Sequence, residues 1–242
     1  MLNDALTKPG RVHDAYRAFH GYSVRNMLLA LAQCDARELS PGPLATFKRW
    51  QALGRYVRQG EKALSLRVPI TIPNHEETDA TQDAVPRPRF FYRARWFVLD
   101  QTDGKPYEPV SLPSWNEEIA LQTLGIKRID FDDLNGNIQG YSVRRNVAIN
   151  PVAALPAKTL LHELGHVILG HTQDDSTLPR EVRELEAESV ALLCSEALDL
   201  PGAAFARGYV QEWATSDDLT DDVAGRIMTA ADTILRAGIP RT

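Results

Sequence analysis

His162-Glu163-Leu164-Gly165-His166 places two imidazoles four residues apart, with a carboxylate directly after the first. On a helix, positions i and i+4 lie on one face, so both rings can reach one metal ion. Glu163 is then placed to turn toward the open coordination position and take a proton from bound water. Two histidines leave a catalytic zinc one ligand short, and the third is expected to be His, Glu or Asp. Downstream, Glu184 and Glu188 share one helical face, while Glu186 points elsewhere. We take Glu184 as the third ligand. Glu188, one turn later, is placed to accept a hydrogen bond from a liganding imidazole. The reverse assignment stays open, Glu181 is a weaker option, and a plain solvated acidic face is the alternative to all three. His171 is off the His162/His166 face and is expected just past the helix end, in a surface or supporting role.

The chemistry such a set performs is peptide hydrolysis. Zinc polarises the scissile carbonyl and lowers the pKa of its water; Glu163 removes a proton and later delivers one to the leaving amine. An oxyanion partner is also required, and Tyr141 and Tyr209 are candidates.

The elements that position these residues follow from pattern. Leu160, Leu161, Leu164, Val167, Ile168 and Leu169 make 153–170 a mostly buried helix, with Pro156 near its start. Further helices are expected over 180–198, 203–213 and 220–237, a short one over 116–124 stopped by Gly125, and a strand over 141–149. Upstream, 1–12 reads as a frayed end or short helix and 16–34 as one helix, with Ser23 a possible cap. Thr46 caps a short helix over 47–51. Leu64, Leu66, Val68, Ile70 and Ile72 alternate as a strand, with Pro69 marking an edge or bulge. Residues 90–99 return beside it, and 73–89 is expected to be a polar, mobile loop. The prolines of 105–115 mark the best boundary, giving domains 1–110 and 111–242. The fold class is α+β: a small α+β domain with an antiparallel sheet, then a mainly helical zincin-like domain.

Of 242 residues, 27 are basic and 32 acidic, a formal net charge of -5. The halves differ: residues 1–110 hold 16 Lys/Arg against 12 Asp/Glu, and residues 111–242 hold 11 against 20. A basic first half can meet a polyanion that the acidic half would repel. Arg25, Lys48, Arg49, Arg55, Arg58, Lys62, Arg67, Arg93, Arg95 and Trp96 are the candidate nucleic-acid contacts. Around them lie Trp50, Tyr56, Phe90, Phe91, Tyr92 and Phe97, aromatics that stack bases without reading sequence. The plainer reading is that strand aromatics face the core. Only two cysteines occur, Cys34 and Cys194, both in apolar helical contexts, which suits a reducing cytosol. No signal-peptide core and no membrane-length apolar run is present.

The chain resembles the ArdC-type antirestriction proteins. The likeness lies in Tyr22-Ser-Val-Arg-Asn-Met-Leu-Leu-Ala-Leu, Thr46-Phe-Lys-Arg-Trp-Gln-Ala-Leu-Gly, Val57-Arg-Gln-Gly-Glu-Lys-Ala and Phe97-Val-Leu-Asp-Gln-Thr-Asp-Gly. In the second half it lies in Ile149-Asn-Pro, Thr159-Leu-Leu-His-Glu-Leu-Gly-His and Glu184-Leu-Glu-Ala-Glu-Ser-Val-Ala. Family members often carry Gly-Ile-Asn where this chain has Tyr22-Ser-Val-Arg-Asn. The resemblance implies an N-terminal single-stranded-DNA-binding domain joined to a zinc metallopeptidase domain of the phage-repressor-cleaving type. It also implies a metal on His162, His166 and Glu184, with Glu163 as base. Three functions follow as expectations: a DNA-associated zinc peptidase, a DNA-binding protector with a structural metal, or a peptidase that cleaves a transcriptional repressor.

Overall fold

The computed structural model describes residues 2–70, 89–108, 112, 114–133, 137–173, 178–213 and 220–240. By internal packing the chain divides into Leu29–Glu108 on one side and Met1–Leu28 with Pro109–Thr242 on the other. An expected division after residue 110 placed residues 1–28 in the first domain; in the structure they join the C-terminal helices.

The reason is apolar burial. Helices α1 (Leu2–Thr7) and α2 (Arg11–Phe19) turn Leu2, Ala5, Leu6, Val12, Ala15, Tyr16 and Phe19 inward. The buried Arg207 guanidinium donates to the carbonyls of Ala5 and Leu6, at 3.2 and 2.7 Å, so two carbonyls left over at the end of α1 are satisfied. Arg207 also pairs with Glu196, whose Oε1 accepts from the Val12 amide at 3.3 Å. The single helix expected over 16–34 is two: α2 ends at Phe19, and α3 (Val24–Ala36) starts after Ser23. Ser23 Oγ accepts from the Asn26 amide at 3.4 Å, so the residue read as a cap begins a new helix.

Residues 29–108 carry two small antiparallel sheets. One joins β1 (Leu44–Thr46), β3 (Leu64–Ile70) and β4 (Arg89–Val98) in the order β1-β4-β3; the other pairs β2 (Arg55–Val57) with β5 (Thr102–Gly104). Thr46 caps α4 (Phe47–Ala52), its Oγ1 accepting from the Arg49 amide. Leu64 and Leu66 face inward. Among the described residues strand β3 lies at an edge of this sheet, a place where a proline such as Pro69 is tolerated. The register passes from Leu64↔Trp96 to Ser65↔Ala94, a bulge that skips Arg95. Trp50 fills the core, its indole donating to the Phe97 carbonyl at 2.8 Å. The polar stretch expected over 73–89 lies outside the described residues, except Arg89, which opens β4.

The second unit is mainly helical. Asn116 caps α5 (Glu117–Leu124), and Gly125 closes it with φ 62°. The single strand expected over 141–149 is a hairpin of β7 (Gly140–Val143) and β8 (Asn146–Ile149), turned at Arg144 with φ 52°. An arginine in the left-handed region is uncommon, so the turn had no glycine or asparagine to announce it. Strand β6 (Lys127–Arg128) lies parallel to β8, giving the order β6-β8-β7. Helix α6 (Pro156–Ile168) takes Pro156 into its first turn, where a missing N–H costs nothing. Helix α7 (Arg180–Ala197) is buried at every position from Leu185 to Ala197 and packs against α2, α6, α8 (Ala203–Trp213) and α9 (Asp221–Ala237). A helix enclosed on all sides needs partners for the polar side chains it carries. Its buried glutamates Glu186, Glu188 and Glu196 have them, while the hydroxyls of Ser189 and Ser195 have none among the described residues. Among the described residues no helix is long and apolar enough to cross a membrane.

Candidate metal centre

Helices α6 and α7 bring the three proposed ligands together. His162 Nε2 and His166 Nε2 lie 3.1 Å apart, and Glu184 Oε2 is 3.5 and 3.7 Å from them. One donor atom from each of the three lies within 4.8 Å of the others. Two imidazole nitrogens and a carboxylate oxygen are the donor set of a three-residue catalytic zinc site, so the residues fit a divalent cation. Gly165 permits the approach: a Cβ there would stand 3.2 Å from Ala187 Cα and 3.3 Å from its carbonyl oxygen. Glu181 is exposed at the start of α7 and is not in the cluster.

Each imidazole is held from behind. His162 Nδ1 is 2.9 Å from Glu188 Oε2, and Lys158 Nζ lies 2.5 and 2.8 Å from the two oxygens of that carboxylate. His166 Nδ1 is 3.0 Å from His171 Nδ1, and His171 Nε2 is 2.9 Å from Glu186 Oε2. Glu186 Oε1 accepts from Arg226 Nε at 2.9 Å. His171 is therefore buried rather than at the surface, with 4% exposure. The cause is local. Gly170, at φ 79°, reverses the chain; its amide donates to Val167 O at 3.2 Å and the His171 amide to His166 O at 2.9 Å. That Schellman pairing folds the second residue past the helix back over its last turn. The expected "elsewhere" of Glu186 is this buried position.

Charge follows geometry. Burial alone would depress His162, but the neighbouring Glu184 carboxylate and the hydrogen-bonded Glu188 outweigh it and raise its pKa to about 9. The His162 and His166 imidazoles, 3.5 and 3.7 Å away, hold Glu184 well below the usual carboxylate range, against its burial. Burial works against ionised Glu188 and Glu186, yet His162 with Lys158, and His171 with Arg226, keep both low. Burial lowers His171.

Glu163 is 6% exposed, and its Oε2 accepts from Ser142 Oγ at 2.6 Å. Ser142 was not singled out, because nothing in sequence spacing ties β7 to the metal helix. Successive strand residues face opposite ways, so Tyr141, next to Ser142, faces away from Glu163 and donates to Asp132 instead. That corrects its place as an oxyanion candidate. The Tyr209 side chain lies outside the described residues.

The candidate nucleic-acid contacts do not form one set. Arg25 belongs to the helical unit, where its guanidinium would stand 3.1 Å from a Cβ at Gly225. Arg55 is engaged by Thr102 and Lys105, and Arg58 by Glu61 and Asp103. Lys48, Arg49, Lys62, Arg93 and Arg95 are exposed; Arg67 is half-buried, 3.7 Å over the Phe90 ring. Arg93 stands 5.8 Å from the Phe91 ring. Trp96 is half-buried opposite Leu64, while Phe90, Phe91 and Tyr92 are exposed at 44, 42 and 65%. These three lay among the noted aromatics but not among the chosen contacts. Three successive aromatics on a strand must put at least one on each face, which is the signal they carried.

Residues 5–97 match the family model of the N-terminal domain of anti-restriction factor ArdC, and residues 121–224 match the M78 peptidase model, the IrrE N-terminal-like domain. The chain therefore joins a domain similar to the N-terminal domain of anti-restriction factor ArdC to one similar to the IrrE N-terminal-like domain. Its fold is similar to the crystal structure of the antirestriction ArdC protein from the R388 plasmid in its Mn(II)-bound form. That structure is 18% identical, with a TM-score of 0.53, covering 94% of this chain and 91% of that one. The metal-free form of the same protein gives 19% identity and a TM-score of 0.49, over 96% and 93% of the two chains. A search of curated proteins gave no match.

Proposed function

We propose that this chain is a DNA-associated zinc metallopeptidase that also binds single-stranded DNA without sequence preference through residues of its basic first half. The observation that carries the peptidase reading is Glu163. It is a buried carboxylate that follows His162 directly on α6 and is held on one oxygen by Ser142. A purely structural metal site has no need of such a group.

Zinc held by His162, His166 and Glu184, with Glu188 orienting His162, would supply a Lewis acid that polarises a peptide carbonyl and acidifies water. Glu163 receives the proton of the attacking water and passes it to the leaving amine nitrogen. Ser142 keeps that carboxylate from rotating away. Strand β7 ends its sheet among the described residues, and an extended peptide added along it would lie beside Ser142 and Glu163. A manganese ion is the one named for the R388 protein; two imidazoles and a carboxylate make zinc our choice here. The exposed Phe90, Phe91 and Tyr92 beside Arg67 and Arg93 support base stacking with phosphate neutralisation. Cys34 and Cys194 are buried free thiols, Cys34 raised to about 11 by burial, which suits a reducing cytoplasm.

The test is Glu163→Gln in the full chain. It is expected to bind zinc as the wild type does, to bind oligonucleotide unchanged, and to lose hydrolysis of a repressor or defence-protein substrate by about 10²–10⁴-fold. Full hydrolysis by Glu163→Gln defeats the mechanism. Oligonucleotide binding with no hydrolysis by the wild type supports instead a DNA-binding protector with a structural metal.

A further inference from the structure

The two imidazoles of the cation site are backed differently. Behind His162 stands a carboxylate, Glu188. Behind His166 stands a second, neutral-capable ring, His171, and only then a carboxylate, Glu186. Hydrogen-bond rules leave this second arrangement one consistent set of protons. For His166 to offer a lone pair at Nε2, toward His162 and Glu184, its proton must sit at Nδ1. The facing atom, His171 Nδ1 at 3.0 Å, must then be bare. A neutral His171 carries its proton at Nε2, where Glu186 Oε2 stands 2.9 Å away and can only accept. The opposite tautomer would set a lone pair of His171 Nε2 against a carboxylate oxygen. A doubly protonated His171 would donate to His166 Nδ1 and move the His166 proton onto the atom that faces the site. Arg226, on α9, fixes Glu186 from its other oxygen at 2.9 Å. His171 is 4% exposed and Glu186 0%, so water does not compete for these bonds.

We propose that His171 is a positioning residue for His166: it accepts the His166 Nδ1 proton, is anchored by Glu186 and Arg226, and so fixes the His166 lone pair on the cation. This rests on the reading of His162, His166 and Glu184 as a cation site. The Schellman turn at Gly170 delivers the ring, because it returns residue 171 to residue 166. The sequence form of the device is a glycine and a histidine placed four and five residues after the second histidine of the helix.

Full-length protein titrated with zinc against a competing chelator tests it. His171→Phe keeps a ring but neither hydrogen-bonding atom, and is expected to weaken zinc binding by about 10–100-fold. His171→Asn returns an acceptor close to the Nδ1 position and is expected to recover affinity to within a few-fold of wild type. A merely structural ring would order these variants by fit, with Phe no worse than Asn, and that result overturns the proposal. Nitrogen-15 spectra of the zinc-loaded wild type give a reading that needs no variant to fold. They are expected to show His171 protonated at Nε2 and bare at Nδ1; a proton on His171 Nδ1 overturns the proposal too. Wild-type protein that binds no zinc overturns the cation-site reading itself, and the positioning role with it.

Discussion

Gly165 on α6 lies so close to Ala187 on α7 that a side-chain carbon at Gly165 would stand 3.2 Å from the Ala187 Cα. Both neighbours that limit the space are backbone atoms, so neither can swing aside. The glycine between Glu163 and His166 therefore sets the separation of the two helices that carry His162, His166 and Glu184.

Gly165→Ala weighs two opposed effects. Alanine in a helix interior gains about 1 kcal/mol over glycine. Forcing a methyl into a packed interface costs about 1–3 kcal/mol. Net destabilisation is expected, with weaker zinc binding, because Glu184 moves away from the imidazoles. Thermal unfolding and zinc titration measure both, and an alanine variant that is more stable and binds zinc unchanged refutes the close-approach role.

Ser142→Ala removes the hydroxyl from Glu163 and nothing from the cation ligands. Hydrogen bonds to charged groups contribute about 1.5–3 kcal/mol, so peptidase kcat is expected to fall about 10–100-fold. Zinc affinity is expected to stay at the wild-type value. Parallel loss of zinc would show that Ser142 acts on the site as a whole.

The metal-free protein should carry a distinctive pH dependence. His162 is raised from 6.5 to about 9, so its contribution to stability is complete below pH 6.5 and disappears as pH rises through 9. Glu184 and Glu188 are lowered, so their contributions are present above the ordinary carboxylate value and are lost as pH falls through their folded values. Tm of the metal-free chain is expected to drop between pH 7 and 9 and again in acid. Zinc must displace the His162 proton, so its affinity is expected to rise with pH up to about 9. A metal-free Tm that is flat from pH 7 to 9 contradicts the raised His162.

A helix converts spacing directly into a shared face, so the sequence pairs His162 with His166 on α6 and Glu184 with Glu188 on α7. That the two pairs meet in one cluster depends on how α6 packs on α7, which spacing does not carry. Partners that reach the site through turns and other elements left no such trace. Ser142 comes from a strand and Arg226 from α9, whereas Lys158 stands four residues before His162 on α6, where the same helical spacing places it on the His162 face. His171 was half legible: its place beyond the helix end was readable, but its burial depended on the left-handed turn at Gly170. The hairpin turn at Arg144 was hidden for a related reason: it depends on one residue's backbone conformation rather than on a periodic pattern. The placement of residues 1–28 was set by long-range burial against α7 and α8, which no local composition shift reveals.

The exposed end of β4 makes a separate prediction about DNA. Arg67 pairs in register with Tyr92 and Pro69 with Phe90, so Arg67, Tyr92 and Phe90 share one face of the β3–β4 ribbon. Arg67 already stands over the Phe90 ring, which leaves Tyr92, at 65% exposure, the most open aromatic surface there. Base–aromatic stacking contributes about 1–3 kcal/mol per base, so Tyr92→Ala is expected to weaken binding of a single-stranded oligonucleotide about 5–100-fold. Stacking releases no counterions, so the slope of log affinity against log salt should not change. Lys48→Gln and Arg49→Gln act the other way: each is expected to reduce that slope by about 0.7 where it meets a phosphate, with a smaller loss of affinity at high salt. Trp96→Ala separates surface from core, since a half-buried ring opposite Leu64 should cost stability before it costs binding. Fluorescence anisotropy with a labelled oligonucleotide at several salt concentrations measures all four variants. Wild-type affinity in Tyr92→Ala together with wild-type slopes in both charge variants would remove this ribbon and α4 from the DNA-binding surface.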